Sequence, residues 1–311
     1  MKGLRVYAPA TVANVACGYD VLGFAIDKPG DEVVVKYTSE FEGLRITRII
    51  GDRDKKLPKD ISKNTAGVSA QMLLDEIGYG GEGIEMHVHK KMPFGTGMGS
   101  SSASAVAGVF AVNELLRRPF TRRELLRFAI AGEKAADGAV HGDNVAPCLM
   151  GGMVLVRDAH QADAHRIFLP TGLHAVVLYP AIEILTKDSR AILSGTVPLD
   201  KHIQQSANLA AMIMGFSRGD LDLVARSMKD VIIEPQRAKL IPHFYEVQKA
   251  AYEFQALGCS ISGAGPSIFA LFPNSLSAEK GAKAMKGVYV KNAIANQLYV
   301  SPINNAGAVI V

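Results

Sequence analysis

The chain has 311 residues, 48% of them hydrophobic, and a formal net charge of only +4. That length supports one large domain or two ordinary ones around a well-buried core. The small charge excludes a nucleic-acid footprint, and the lack of tryptophan with only 7% aromatic residues argues against a surface that stacks bases or sugars. Cys17, Cys148 and Cys259 are odd in number and widely spaced, so they read as reduced thiols rather than as a disulfide or metal framework. The opening MKGLRVYAPATVANVACGYD lacks the unbroken apolar block of a signal peptide. The longest apolar run, VAPCLMGGMVLV at 145–156, is far short of the ~20 residues a membrane helix needs. The expectation is a soluble, cytoplasmic protein.

Taken in chain order, RVYAP (5–9) and EVVVKY (32–37) read as strands, being rich in Val and Tyr. NTAGVSAQMLLDEIG (64–78) reads as a helix ending at Gly78. Residues 84–89 alternate, with Ile84, Met86 and Val88 on one face, and that strand runs into PFGTGMGSSSASAVAG (93–108). A small-residue helix follows from Ser101 to about Arg117 and stops before Pro119. Thr121 and Glu124 form a capping box that opens a helix toward Asp137. A strand is expected at 174–180 and helices at 198–216, 220–229 and 243–257. Two short strands then flank the Gly-Ala-Gly-Pro of CSISGAGPSIFALF (259–272), and a helix over 277–287 and a strand near 297–300 follow. This alternation predicts two α+β units with a boundary near 168.

The glycine-rich segment joins a strand to a helix, where unpaired backbone N–H groups and the helix dipole favour an anion. Gly95, Gly97 and Gly99 would let the backbone close on phosphate oxygens, and Ser100, Ser101 and Ser102 add hydroxyls. Neither G-x-x-x-x-G-K-[ST] nor G-x-G-x-x-G is matched, so this is not the common P-loop. Phosphate binding and tight packing of a small-residue helix both account for the composition. Lys90 and Lys91 flank the loop, either as added charge or as solvated strand-end residues. His87 and His89 fall on the polar face of their strand, and no third metal ligand is evident.

PFGTGMGSS resembles the P-x-x-x-G-L-G-S-S phosphate loop of the GHMP kinases. APATVANVACGYDVLGFAI (8–26) is similar to the family's N-terminal substrate motif and SISGAGPSIFALF (260–272) to its C-terminal glycine motif. The three occur in the family's order and span nearly the whole chain. GEKAADGAVHGDNVAPCLMGG (132–152) and TKDSRAIL (186–193) are further similar to the branch that phosphorylates L-homoserine. Met98 stands where leucine is commoner, and Ala16-Cys17 where Gly and Pro are frequent. The resemblance implies a two-domain α+β fold. An N-terminal mixed α/β domain, 1–168, would carry an unusual left-handed βαβ phosphate loop, and a ferredoxin-like α+β domain, 169–311, would follow.

The implied reaction is transfer of the γ-phosphoryl group of ATP to the side-chain hydroxyl of L-homoserine, giving the precursor of threonine. ATP, Mg²⁺, homoserine and a second copy of the chain are the implied partners, with no nucleic acid and no membrane. By family position, Asn64 contacts adenine. Pro93, Gly95, Gly97, Met98, Gly99, Ser100, Ser101 and Ser102 hold the phosphates, and Ser101 and Glu133 hold Mg²⁺. Asn64 serves equally as an ordinary helix N-cap, and Glu133 with Asp137, four residues on, equally as a pair of solvated helix carboxylates. Arg190 and Arg237 would take the substrate carboxylate, Asn14 and Asp20 its ammonium, with Thr186, Gly263 and Gly265 beside them. His141, Asp143 and Asn144 would surround the reacting hydroxyl. An amide is no general base, so Asn144 would orient the hydroxyl and the γ-phosphate would receive its proton. A kinase for a mevalonate-like acid or a sugar, and a catalytically silent nucleotide-binding relative, stay open at this point.

Overall fold

Residues 3–52, 57–138, 142–182, 184 and 186–311 are described by the computed structural model; the side chains of Ala136, Asp137, Thr186 and Lys187 lie outside that description. The first half runs β1 (Leu4–Ala13), β2 (Leu22–Glu42), β3 (Leu44–Ile50), α1 (Thr65–Glu76), β4 (Glu82–His89) and α2 (Ser100–Leu115), then α3 (Leu125–Asp137), α4 (Gly142–Met150), β5 (Met153–Asp158) and β6 (Asp163–Ile167). Within this sheet β1, β2, β4 and β3 lie side by side, and β5 pairs with both β2 and β6. β3 and β4, joined through α1, are its parallel pair. β2 organises the sheet by dividing its length. Its first residues pair with β5 and its later ones with β4, while β1 pairs with both parts.

The second half runs β7 (His174–Pro180), α5 (Thr186–Ala191), α6 (Leu199–Arg218), α7 (Leu221–Ser227), α8 (Glu234–Arg237), α9 (Phe244–Tyr252), β8 (Gly258–Ile261), β9 (Ile268–Phe272), α10 (Ser275–Lys291) and β10 (Asn296–Pro302). Its antiparallel sheet has the order β10-β7-β9-β8. With helices between the first and second strands and between the third and fourth, this is the ferredoxin-like arrangement. The chain then returns to the first sheet. Ile303 bridges Ile26, and β11 (Val309–Ile310) pairs with β1.

Period-two alternation decides how the layers meet. Ala175 and Val177 of β7 join the larger core, which holds the first sheet and α1–α4, whereas Val176 and Leu178 join a second core against α9 and α10. Phe24 of β2 meets Phe269 of β9 edge-on at 5.8 Å between centroids, so the two sheets share apolar packing. α2 lies inside the larger core and is buried on every side from Ser102 to Asn113. That is why its composition is small and apolar all round. A Cβ at Gly108 would come within 2.5 Å of the Ala66 carbonyl oxygen of α1, so close packing is one real use of these small residues.

The structure adds detail the sequence reading lacked. The Thr121–Glu124 capping box forms, with the Glu124 carboxylate accepting from the Thr121 amide at 2.7 Å, yet regular helix begins only at Leu125. α9 ends at Tyr252, short of 257, because the chain turns through 253–255. β3, β5, β6, α4 and α5 were not anticipated. Among the described residues no helix is long and apolar enough to cross a membrane.

Candidate active site

A cavity of about 430 Å³ opens where the phosphate-loop candidate, α3, α4, α5 and α8 face one another. Gly95, Gly97, Met98, Gly99, Ser100 and Ser101 line it, together with Asn64. Glu133, Asp143 and Asn144 line it too, as do Asn14, Asp20, Arg190, Arg237, Gly263 and Gly265. Pro93 and Ser102 are not in the lining, and Ser102 is fully buried within α2. His141 and the side chains of Thr186 and Asp137 lie outside the described residues.

The loop is held by its carbonyls. The Thr11 amide donates to Met98 O at 3.1 Å, Ser262 Oγ to Gly97 O at 2.7 Å, and the Ser267 amide to Thr96 O at 3.3 Å. Gly97, at φ +74°, would place a Cβ only 2.3 Å from the Ser262 carbonyl oxygen. Glycine there lets the loop lie directly on the C-terminal glycine segment. Gly99, also left-handed, caps α2 with no side-chain bond, so the mouth of the helix is bare backbone and hydroxyls. This is the geometry that favours an anion.

Lys90 answers the question of the flanking lysines. It is 7% exposed and forms a buried ion pair with Asp31. Its ammonium also donates to Ser100 O and Ser104 Oγ, both at 2.7 Å. Asp31 accepts in turn from Ser100 Oγ at 2.8 Å and from the amides of Lys91 and Met92. This network fastens β2 to the first turn of α2, and Asp31 balances the lysine's charge. Lys91 is half exposed and pairs with Glu32. Neither flanking lysine is therefore an unbalanced charge on the loop, and the helix mouth adds its own positive field there.

The substrate-motif residues converge through two hubs. Asn14, at φ +73°, donates from Nδ2 to Gly263 O at 2.6 Å, and its Oδ1 accepts from the Asp20 amide at 3.0 Å. Its own amide donates to Asp143 Oδ2 at 3.2 Å. Asn14 thus ties the N-terminal motif, α4 and the glycine segment together, with both ends of its side chain engaged. Asn64 is likewise engaged: Oδ1 caps α1 at the Ala66 amide and Nδ2 donates to Pro58 O.

The second hub is Arg237, only 3% exposed. Nε donates to Ser189 O at 2.9 Å, and the terminal nitrogens donate to Gly263 O and to the Tyr19 hydroxyl, both at 3.2 Å. Its guanidinium lies over the Tyr19 ring at 5.0 Å. All these partners are neutral, and among the described residues it makes no ion pair. A buried cation facing a cavity on neutral acceptors is matched by an anionic ligand. Arg190 is more exposed and sits 3.5 Å from Asp20 Oδ1. Burial and the nearby Asp20 charge push the Tyr19 hydroxyl pKa up, against the pull of Arg237 and Arg190.

Residues 64–152 match the model of the GHMP kinases N terminal domain, and residues 212–291 match that of the GHMP kinases C terminal domain. The chain is a member of the GHMP kinase family. A homoserine kinase of Chlorobium phaeobacteroides is 41% identical over 321 aligned residues, with 100% of both chains covered. That of Chlorobaculum tepidum is 42% identical, covering 100% of this chain and 99% of its own. The crystal structure of homoserine kinase from Cytophaga hutchinsonii superimposes with a TM-score of 0.96 at 47% identity, covering 100% of this chain and 98% of that one. As a GHMP kinase, the chain has a two-domain fold whose glycine loop is set between β4 and α2.

For Mg²⁺ the donor chemistry fits. Glu133, 6% exposed on α3, and Ser101, in the first turn of α2, line the same cavity and offer hard oxygen ligands. Among the described residues no group of three or more His, Cys, Asp or Glu forms a metal cage. One carboxylate and one hydroxyl, completed by phosphate oxygens, is an oxygen donor set of the kind Mg²⁺ accepts.

Sequence reasoning overlooked Thr11, Asp31, Lys90 as a buried residue, and Ser262. Lys90 carried a signal: its neighbours Val88 and Met92 are apolar at alternate positions, which places it on the buried face of an extended segment.

Proposed function

We propose that this GHMP kinase transfers the γ-phosphoryl group of ATP to the side-chain hydroxyl of L-homoserine. The observation that carries the substrate class is Arg237, a buried guanidinium on neutral partners in the lining of the cavity. A sugar or other uncharged alcohol would leave it unmatched. A carboxylate on Arg237 and Arg190, with an ammonium on Asp20, fits a zwitterionic amino acid.

In this reading the backbone of 95–101 receives the β- and γ-phosphates. Ser101 and Glu133 hold Mg²⁺, which when bound neutralises charge on the transferring group. Phosphoryl transfer needs alignment and charge balance more than covalent assistance. The substrate oxygen forms a bond to the γ-phosphorus, the bond from that phosphorus to the bridging oxygen breaks, and ADP leaves. Asn144 orients the hydroxyl, and the hydroxyl proton passes to an oxygen of the transferred phosphoryl group. Asp143, 2% exposed and accepting from the Asn14 amide, serves as an anchor for the substrate loop. A division into an ATP-binding unit, 1–168, and a substrate-closing unit, 169–311, goes with this reading, as does a cytoplasmic location where ATP and free amino acids are at hand. The test is ADP release with homoserine, mevalonate, shikimate and galactose. Stimulation by homoserine alone supports the reading, and equal or greater stimulation by any of the others refutes it.

A further inference from the structure

Thr11 is fully buried in β1, where the ladder to β2 breaks: pairing jumps from Pro9–Gly30 to Thr11–Ala25. Such breaks re-aim groups beside functional sites. Here the Thr11 amide is turned onto the phosphate loop at Met98 O, 3.1 Å away. Its hydroxyl donates to Asn144 Oδ1 at 2.7 Å. Gly99, the last loop residue before α2, is wedged against both groups. A Cβ there would lie 2.2 Å from Thr11 Oγ1 and 2.8 Å from Asn144 Oδ1. One side chain therefore touches the loop that holds phosphate and the amide at the start of α4.

The chemistry of the amide gives this contact a consequence. An asparagine side chain carries an acceptor at one end and two donors at the other. With Oδ1 taken by the Thr11 hydroxyl, the end left for the cavity that Asn144 lines is Nδ2. A rotated amide would turn its acceptor to the cavity and leave Thr11 to receive a proton instead of giving one. Among the described residues Thr11 is the hydrogen-bond partner that fixes that choice, and Gly99 supplies only shape.

We infer that Thr11 is a positioning residue for phosphoryl transfer, locking the Asn144 amide with Nδ2 toward the reacting oxygens and fixing it relative to the phosphate loop. This rests on the reading of Asn144 given above. The hydroxyl acts on alignment during transfer and leaves the contacts to adenine and to the substrate carboxylate unchanged.

The test is steady-state kinetics of Thr11→Val, which keeps the shape and removes the hydroxyl, and of Thr11→Ser, which keeps the donor. Thr11→Val lowers kcat about tenfold, the effect of one misplaced buried hydrogen bond, with both KM values within about twofold of wild type. Thr11→Ser recovers kcat to within about twofold of wild type. Adding Thr11→Val to Asn144→Ala produces no further fall in kcat, since the group being positioned is already gone. Should Thr11→Val fail to fold, Thr11→Ala carries the same cycle. A wild-type kcat in the folded hydroxyl-free variant, or an equal fall in the Asn144→Ala background, overturns the role. A wild-type chain inactive on homoserine refutes the substrate reading and this role together. An active wild type with an unaffected Thr11→Val refutes the role alone.

Discussion

Gly95 and Gly97 lie two residues apart in the same loop, at φ +64° and +74°, and differ only in what an added methyl would meet. At Gly95 nothing lies within 4 Å. At Gly97 the new carbon would be 2.3 Å from Ser262 O and 3.0 Å from Gly265 O, both backbone atoms with no freedom to swing away. Alanine in the left-handed region costs about 1 kcal/mol at either site. For a chain of this length that is a fall in melting temperature of about 1.5 °C. Gly97→Ala adds a backbone collision that only separation of the loop from the glycine segment relieves, breaking the Ser262 bond to Gly97 O and bringing the total to about 3 kcal/mol or more. Its melting temperature should fall by about 5 °C, and the KM values for ATP and homoserine should both rise, because the segment joins the two halves of the site. Gly95→Ala should barely change the melting temperature but weaken ATP, since its methyl enters the space proposed for phosphate. Differential scanning calorimetry with initial-rate kinetics separates the two. Equal melting temperatures for both variants would refute the reasoning, as would unaltered ATP KM in Gly95→Ala.

Three further outcomes follow from the same geometry. Arg237→Lys keeps the charge but loses the planar fork that reaches Ser189 O, Gly263 O and Tyr19, so the homoserine KM should rise about 30-fold or more with the ATP KM little changed. Glu133→Gln should raise the Mg²⁺ concentration needed for half-maximal rate about 10- to 100-fold, read by titrating Mg²⁺ at fixed ATP. Burial pushes the Glu234 carboxyl up from 4.5 to about 7, against hydrogen bonds from Ser260 and Gln248. Its proton is held more tightly in the folded chain than in the unfolded one. That contribution is complete below about pH 4.5 and lost as pH rises through about 7. Glu234→Gln should therefore be more stable than wild type above pH 7, by an amount on the order of 3 kcal/mol, and the advantage should vanish near pH 4 in urea melts.

The parts of this molecule that were legible in the sequence are those where one residue type has one use. Alternation in 84–88 marked β4, and the Val-rich run 32–37 marked β2. The run of small residues marked α2; the structure shows the packing use at Gly108, and anion binding belongs to the proposed function. Other elements were hidden by competing signals. LRITRII carries charges at two of its seven positions because β3 lies at the sheet's edge, and its pattern was not recognised. Residues 145–156 formed one apolar run that the fold divides at Gly151 and Gly152 into the end of α4 and the start of β5. At the site, residues with recognisable chemistry could be named as candidates from the sequence, while those that hold them in place could not. Asn14 was read by the ligand it could bind, yet the structure engages both ends of its side chain in holding backbone, and Asn64 makes the N-cap that was its other reading. Asp31 and Thr11 gave little sign because their side-chain partners lie 59 to 133 residues away, a distance at which sequence pattern is blind.

In the proposed reaction, a nucleotide's phosphates at the mouth of α2 are presented to an alcohol anchored by its carboxylate on Arg237. The most direct measurement compares ADP release with L-homoserine and with 3-aminopropan-1-ol, which keeps the amine and the hydroxyl but has no carboxylate. Release should be rapid with homoserine and only at background with the amino alcohol. Equal rates with the two, or no stimulation by homoserine, would contradict it.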